Sequence, residues 1–112
     1  MSYQIVLTSH FRKQLKPLLK KYRGIDKSLV DAIKDFNSTG NTLVGTEIYK
    51  LRFTTRSLHR GKSGAFRLYV YVFEMDNQIV PITIYYKGDK ENLTTGELEK
   101  HAEIILSELQ QM

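Results

Sequence analysis

Residues 59–74 read HRGKSGAFRLYVYVFE, a basic loop that opens directly into a strand-forming run. Arg60 and Lys62 stand next to Gly61 and Gly64, where the missing side chains let a ligand approach the backbone closely. Backbone N–H groups around Ser63 and Gly64 add donors suited to an anion. Arg67 follows inside the run, and alternation puts it on one face with Tyr69 and Tyr71. In the simplest register Lys50 and Arg52 of the preceding strand lie nearby, Arg56 leads into the loop, and Lys87 ends the last strand just after Tyr85 and Tyr86. Guanidinium groups hold phosphate through paired hydrogen bonds. Aromatic rings stack on bases. The pattern therefore suits a grip on a phosphodiester backbone, with Lys50, Arg52, Arg56, Ser63 and Gly64 as RNA-binding positions.

The same residue types suit cleavage. RNA is cut without a metal when the 2′-hydroxyl attacks the adjacent phosphorus. One group must accept that proton, another must protonate the leaving 5′-oxygen, and cations must stabilise the charge-rich phosphorane. Lysine or tyrosine whose pKa is lowered by clustered positive charge can move those protons. Structural readings stand beside these: Tyr69 and Tyr71 as packing residues, Lys50, Arg52 and Arg56 as solvated surface, and Arg67 as half of an ion pair.

Other chemistries fit poorly. His10, His59 and His101 are far apart in sequence and lack metal-ligand spacing, so no metal and no cofactor is expected. Ser63 has no G-x-S-x-G elbow around it. The GKS triplet lacks the upstream glycine of a phosphate loop and is followed by a strand.

Charge distribution points the same way. The net charge is +5, but residues 1–87 hold 15 Lys/Arg against 6 Asp/Glu, whereas residues 88–112 hold 2 against 6. No acid lies between Glu47 and Glu74, and six bases do. A one-signed field of this kind favours a polyanion and speeds its capture. Without cysteine there is no disulfide framework. No apolar stretch reaches membrane-spanning length and no signal-peptide pattern opens the chain, so a cytoplasmic protein with no membrane contact is expected.

A length of 112 residues suits one domain, 1–112. Residues 3–7 read as a strand, and Ser9 as the cap of a helix carrying Phe11, Leu15 and Tyr22. Pro17 should kink or divide that helix. Gly24 reads as its stop and Asp26 as the cap of a second helix with Leu29, Ile33 and Phe36. Residues 37–42 have loop composition. Residues 47–53, 65–74 and 79–86 read as strands, with Pro81 placed at an edge or bulge. Thr94 and Glu97 form a capping box, with Leu93 and Leu98 as a hydrophobic staple for a final helix. The expected order is β-α-α-β-β-β-α: an α+β fold with an antiparallel meander packed by an N-terminal helical hairpin and a C-terminal helix.

These segments resemble the RelE/ParE superfamily of type II toxins, nearest in look to the RelE/HigB-like mRNA interferases. The resemblance rests on Gly61, Lys62, Ser63, Gly64 and Arg67 at the strand entry. Tyr85, Lys87, Lys90, Glu91, Asn92, Leu93 and Thr94 carry it further down the chain. It covers roughly residues 3–108. The chain departs from the family pattern in having Ala65 and Phe66 after Gly64, and no tyrosine in the C-terminal helix.

The resemblance implies a RelE-like domain and a ribosome-dependent, metal-independent endoribonuclease that cuts mRNA and inhibits translation. It implies a small antitoxin that covers the basic site, and operator DNA contacted only through that antitoxin. It further implies Arg67 as the phosphate clamp, Arg60 and Lys62 as phosphate-positioning residues, and Tyr86 with Lys87 completing the catalytic set. Two alternatives are a ParE-like DNA gyrase inhibitor, which has no evident use for a phosphate clamp, and a non-catalytic RNA-binding module. The acidic start of the last helix counts against the latter.

Overall fold

The computed structural model describes residues 3–38, 42–45, 47–55, 65–90 and 92–112. Among these residues the elements run β1 (Gln4–Ile5), α1 (Ser9–Lys21), α2 (Ile25–Lys34), β2 (Thr42–Gly45), β3 (Ile48–Phe53), β4 (Phe66–Phe73), β5 (Gln78–Tyr86) and α3 (Thr95–Gln110). The strands form one sheet in the order β1-β5-β4-β3-β2. Two expectations need correction. An additional strand, β2, begins where loop was expected and pairs antiparallel with β3. The sheet is also mixed, because β1 runs parallel to β5 with Gln4 opposite Gln78.

Alternation along β3 and β4 decides which residues meet the helices. Leu51, Phe53, Phe66, Leu68, Val70 and Val72 join Phe11, Leu15, Tyr22, Ile25, Leu29 and Ile33 in one core cluster. Tyr22 of the α1–α2 corner packs edge-on against Phe66, with ring centroids 5.0 Å apart. Phe36, after α2, packs edge-on against Tyr49 of β3. The facing side of β4 is nearly as well covered: Arg67, Tyr69 and Tyr71 are all buried.

The helices begin and end for local reasons. Thr8, rather than Ser9, caps α1 by accepting from the Phe11 N–H at 3.2 Å. Glu108 of α3 accepts from the Ser9 and His10 N–H groups, placing a carboxylate at the N-terminus of α1. Pro17 does not divide the helix. Both Pro17 and Lys13 are exposed, so the carbonyl that loses its partner lies on the side open to water. Gly24 adopts φ 79°, which reverses the chain between α1 and α2 and makes it, not Asp26, the cap of α2. The Thr94–Glu97 capping box is present at α3, and Leu93 and Leu98 both pack against the core.

β5 carries an irregularity that matters for the site. Val80 pairs with Tyr71 and Pro81 with Val70, but the next pair is Thr83 with Tyr69. Ile82 is therefore an extra residue, a bulge adjoining the proline, which has no N–H to give.

Candidate nucleic-acid interface

The face of the sheet opposite Phe66 and Leu68 gathers the basic and aromatic side chains. Arg52 on β3 lies directly across from Arg67 on β4, and Arg67 directly across from Tyr85 on β5. Lys50 lies across from Tyr69. The Lys87 N–H donates to the Ala65 carbonyl at 2.9 Å, which fixes the chain just beyond β5 against the entry to β4. Arg67 and Tyr69 form a buried floor, Lys50 and Tyr85 are half-buried, and Arg52 and Lys87 form an exposed rim. Tyr69 and Tyr85 stack at 6.5 Å with their planes 23° apart.

Placing two arginines opposite each other on adjacent strands is unfavourable in itself, because like charges at that spacing repel. The effect registers on Lys50. Burial pushes its pKa below the ordinary lysine value, and Arg52, Arg67 and Lys87 push it further down. An ammonium that gives up its proton more readily than usual can act in proton transfer. Tyr69 goes the other way. Burial, then its hydrogen bond and charge interaction with Tyr85, raise its pKa to about 12, against the opposing pull of Arg67 and Arg52. Tyr69 thus stays a neutral phenol, fit to stack and donate but not to act as a base. The Arg67 Nη1 also donates to the Phe66 carbonyl at a long 3.4 Å.

The sheet therefore brings together Lys50, Arg52, Arg67 and Lys87. It does not bring Tyr86 to them: Tyr86 pairs with Phe66 on the helix-covered face, where it packs at 5.2 Å against Tyr22 and 5.4 Å against Phe66. This corrects the expected pairing of Tyr86 with Lys87. The bulge at Ile82 flips the alternation, so Tyr85 occupies the position facing Arg67. Arg56, Arg60, Lys62, Ser63 and Gly64 lie outside the described residues.

A cleft of about 500 Å³ lies between α2 and β3 and borders this region. Asp31 and Asp35 line it together with Arg52, Thr54 and Thr55. Its two carboxylates oppose a phosphate, so the basic face is the better nucleic-acid surface. Sequence reasoning also missed a histidine pair: His10 Nε2 and His101 Nδ1 meet at 2.8 Å between α1 and α3. Only tertiary packing brings those positions together. Among the described residues no group of three or more His, Cys, Asp or Glu side chains is arranged to hold a metal, and no helix is long and apolar enough to cross a membrane.

Residues 4–111 match the sequence family described as the RelE toxin of the RelE / RelB toxin–antitoxin system. The fold is similar to that of solved E. coli structures. A double arginine-to-alanine mutant of the toxin RelE in the free state aligns with TM-score 0.58 and 19% identity, over 91% of this chain and 95% of that one. The isolated RelE toxin aligns with TM-score 0.54 and 18% identity, over 92% and 99%. The intact RelBE toxin–antitoxin complex aligns with TM-score 0.53 and 18% identity, over 76% and 96%. No curated protein matches the chain.

Proposed function

Because the chain belongs to the RelE toxin family, we propose that it is the toxin of a type II toxin–antitoxin system and acts as a ribosome-dependent, metal-independent mRNA endoribonuclease. The observation that supports this most is the convergence of Lys50, Arg52, Arg67 and Lys87 over the stacked Tyr69–Tyr85 pair. In this reading Arg67 and Arg52 hold the non-bridging oxygens of the scissile phosphate, and the tyrosines support a neighbouring base. The 2′-hydroxyl attacks phosphorus as Lys50, in its neutral form, takes the proton. The bond to the 5′-oxygen breaks as a proton arrives from Lys87 or a nearby donor. The products are a 2′,3′-cyclic phosphate and a 5′-hydroxyl. Fixed cations that meet charge as it develops account for a large part of such rate enhancements. Arg60 and Lys62 of the loop add to the phosphate contacts, and Arg56, Ser63 and Gly64 to the RNA contacts.

The likeness to the RelBE complex supports an antitoxin partner; in this reading the antitoxin covers the basic face, and operator DNA is reached only through it. We read residues 1–112 as one toxin domain acting in the cytoplasm. The test is primer extension on a translating mRNA with ribosomes and chelator, wild type beside Arg67→Ala, with circular dichroism to confirm folding. Ribosome-dependent cuts lost in the variant are expected. A folded wild type that binds ribosomes without cutting would leave a non-catalytic RNA binder, and one that ignores ribosomes would direct the next assay to DNA supercoiling.

A further inference from the structure

The alternation of β5 depends on one extra residue. From Val80 to Pro81 the strand pairs with Tyr71 and Val70; from Thr83 onward it pairs one step out of phase with that run. Continued without the bulge, the strand would set Ile84 opposite Arg67 and turn Tyr85 toward the helices. The basic face would then lose the aromatic ring that stacks on Tyr69. Something must hold the bulge in place, because a bulge leaves backbone groups without ladder partners.

Gln14 does so. β1 accompanies β5 only as far as Ile79, and beyond that point α1 supplies the partner. The Gln14 Nε2 donates to the Ile82 carbonyl at 2.9 Å. Its Oε1 accepts from the Thr83 hydroxyl at 2.5 Å. Ile82 is fully buried and Thr83 nearly so, so an unmet carbonyl or hydroxyl here would carry a full desolvation cost. One amide thus satisfies both the extra residue and the first residue after it.

We propose that Gln14, through its paired hydrogen bonds to Ile82 and Thr83, is a positioning residue that fixes the β5 register and so presents Tyr85, rather than Tyr86, to the RNA. The register claim stands on the geometry; its link to RNA rests on the function proposed above. In isotope-labelled protein, cross-strand nuclear Overhauser contacts report whether Tyr69 faces Thr83 or Ile82. From the register, wild type is expected to show Tyr69–Thr83.

Gln14→Ala is expected to populate Tyr69–Ile82 contacts and to lower cleavage by roughly 10- to 100-fold, the scale of a misplaced contact group. Tyr85→Ala should lower cleavage similarly, and the double variant no further. Thr83→Val, which exchanges the hydroxyl for a methyl of similar size, should shift the register partly, and Thr83→Ser, which keeps the hydroxyl, should hold it. If Gln14→Ala does not fold, the Thr83 pair decides. A wild-type register in Gln14→Ala, or in Thr83→Val, overturns the proposal, as does a shifted register with undiminished cleavage. A wild type that never cuts RNA would refute the functional reading alone, because the register contacts are read without RNA.

Discussion

Arg52 offers the sharpest test of the basic face, because its side chain is exposed and its loss leaves no cavity. Each phosphate contact to a single strand releases condensed counterions and adds about −0.7 to the slope of log affinity against log salt. If Arg52, Arg67 and Lys87 all meet phosphates, they contribute a slope of about −2.1, or roughly a 10-fold loss of affinity for a threefold rise in salt. Arg52→Gln should reduce the slope by about 0.7, so that the same rise in salt costs about 5-fold from these residues. Phosphate contacts made by any other residues steepen both proteins equally and cancel in the difference. The assay is fluorescence anisotropy with a labelled 2′-O-methyl RNA, which binds without offering a nucleophile. The substitution also removes a cation facing Arg67, so thermal stability should stay level or rise slightly. An unchanged slope with unchanged affinity would show that Arg52 does not touch the phosphate backbone and that the face has been misread.

Two further predictions concern stability. A Cβ at Gly88 would fall on the edge of the Tyr86 ring, which packs against Tyr22 and Phe66. Gly88→Ala should therefore cost about 1–3 kcal/mol, seen as a lower melting temperature, and an unchanged melting temperature would show that the ring is free to move. The second concerns acid. Burial, and then the charge of His10, hold His101 below its ordinary 6.5, so unfolding takes up a proton and stability falls as pH drops through that value. Glu108, held below 4.5 mainly by its hydrogen bond from Ser9, loses its contribution as pH falls further, so both groups weaken the α1–α3 contact in acid. Urea midpoints at about pH 7.5 and about pH 5.5 should differ, and less so in His101→Asn; equal midpoints in wild type would refute this.

The elements were legible where a local rule decides them. The Thr94–Glu97 box, the Gly24 reversal and the alternation of β3 follow from a few neighbouring residues. β2 was not legible, because Thr42–Gly45 is a short segment whose pairing with β3 is a long-range event. The parallel pairing of β1 was equally hidden, since no pattern within residues 3–7 names a partner. For the site, sequence grouped Lys50, Arg52, Arg67 and Lys87, because the cations of β3 and β4 fall in step. It could not decide between Tyr85 and Tyr86, because a one-residue slip exchanges them. Pro81 signalled an edge or a bulge, but which side the following residues take depends on where the extra residue sits, and Gln14 is 68 residues from Ile82.

The parallel seam between β1 and β5 has a consequence for the order of assembly. Residues 4–5 find their partners at 78–79, and α1 also packs on β5. β1 and α1 thus leave the ribosome well before the strand on which they pack. Closing so long a loop before any reward favours slow folding. Tyr85 and Lys87 arrive with the same strand that completes the sheet, so a nascent chain stopped before β5 has neither a finished fold nor a finished basic face. Fold and site mature in one late step.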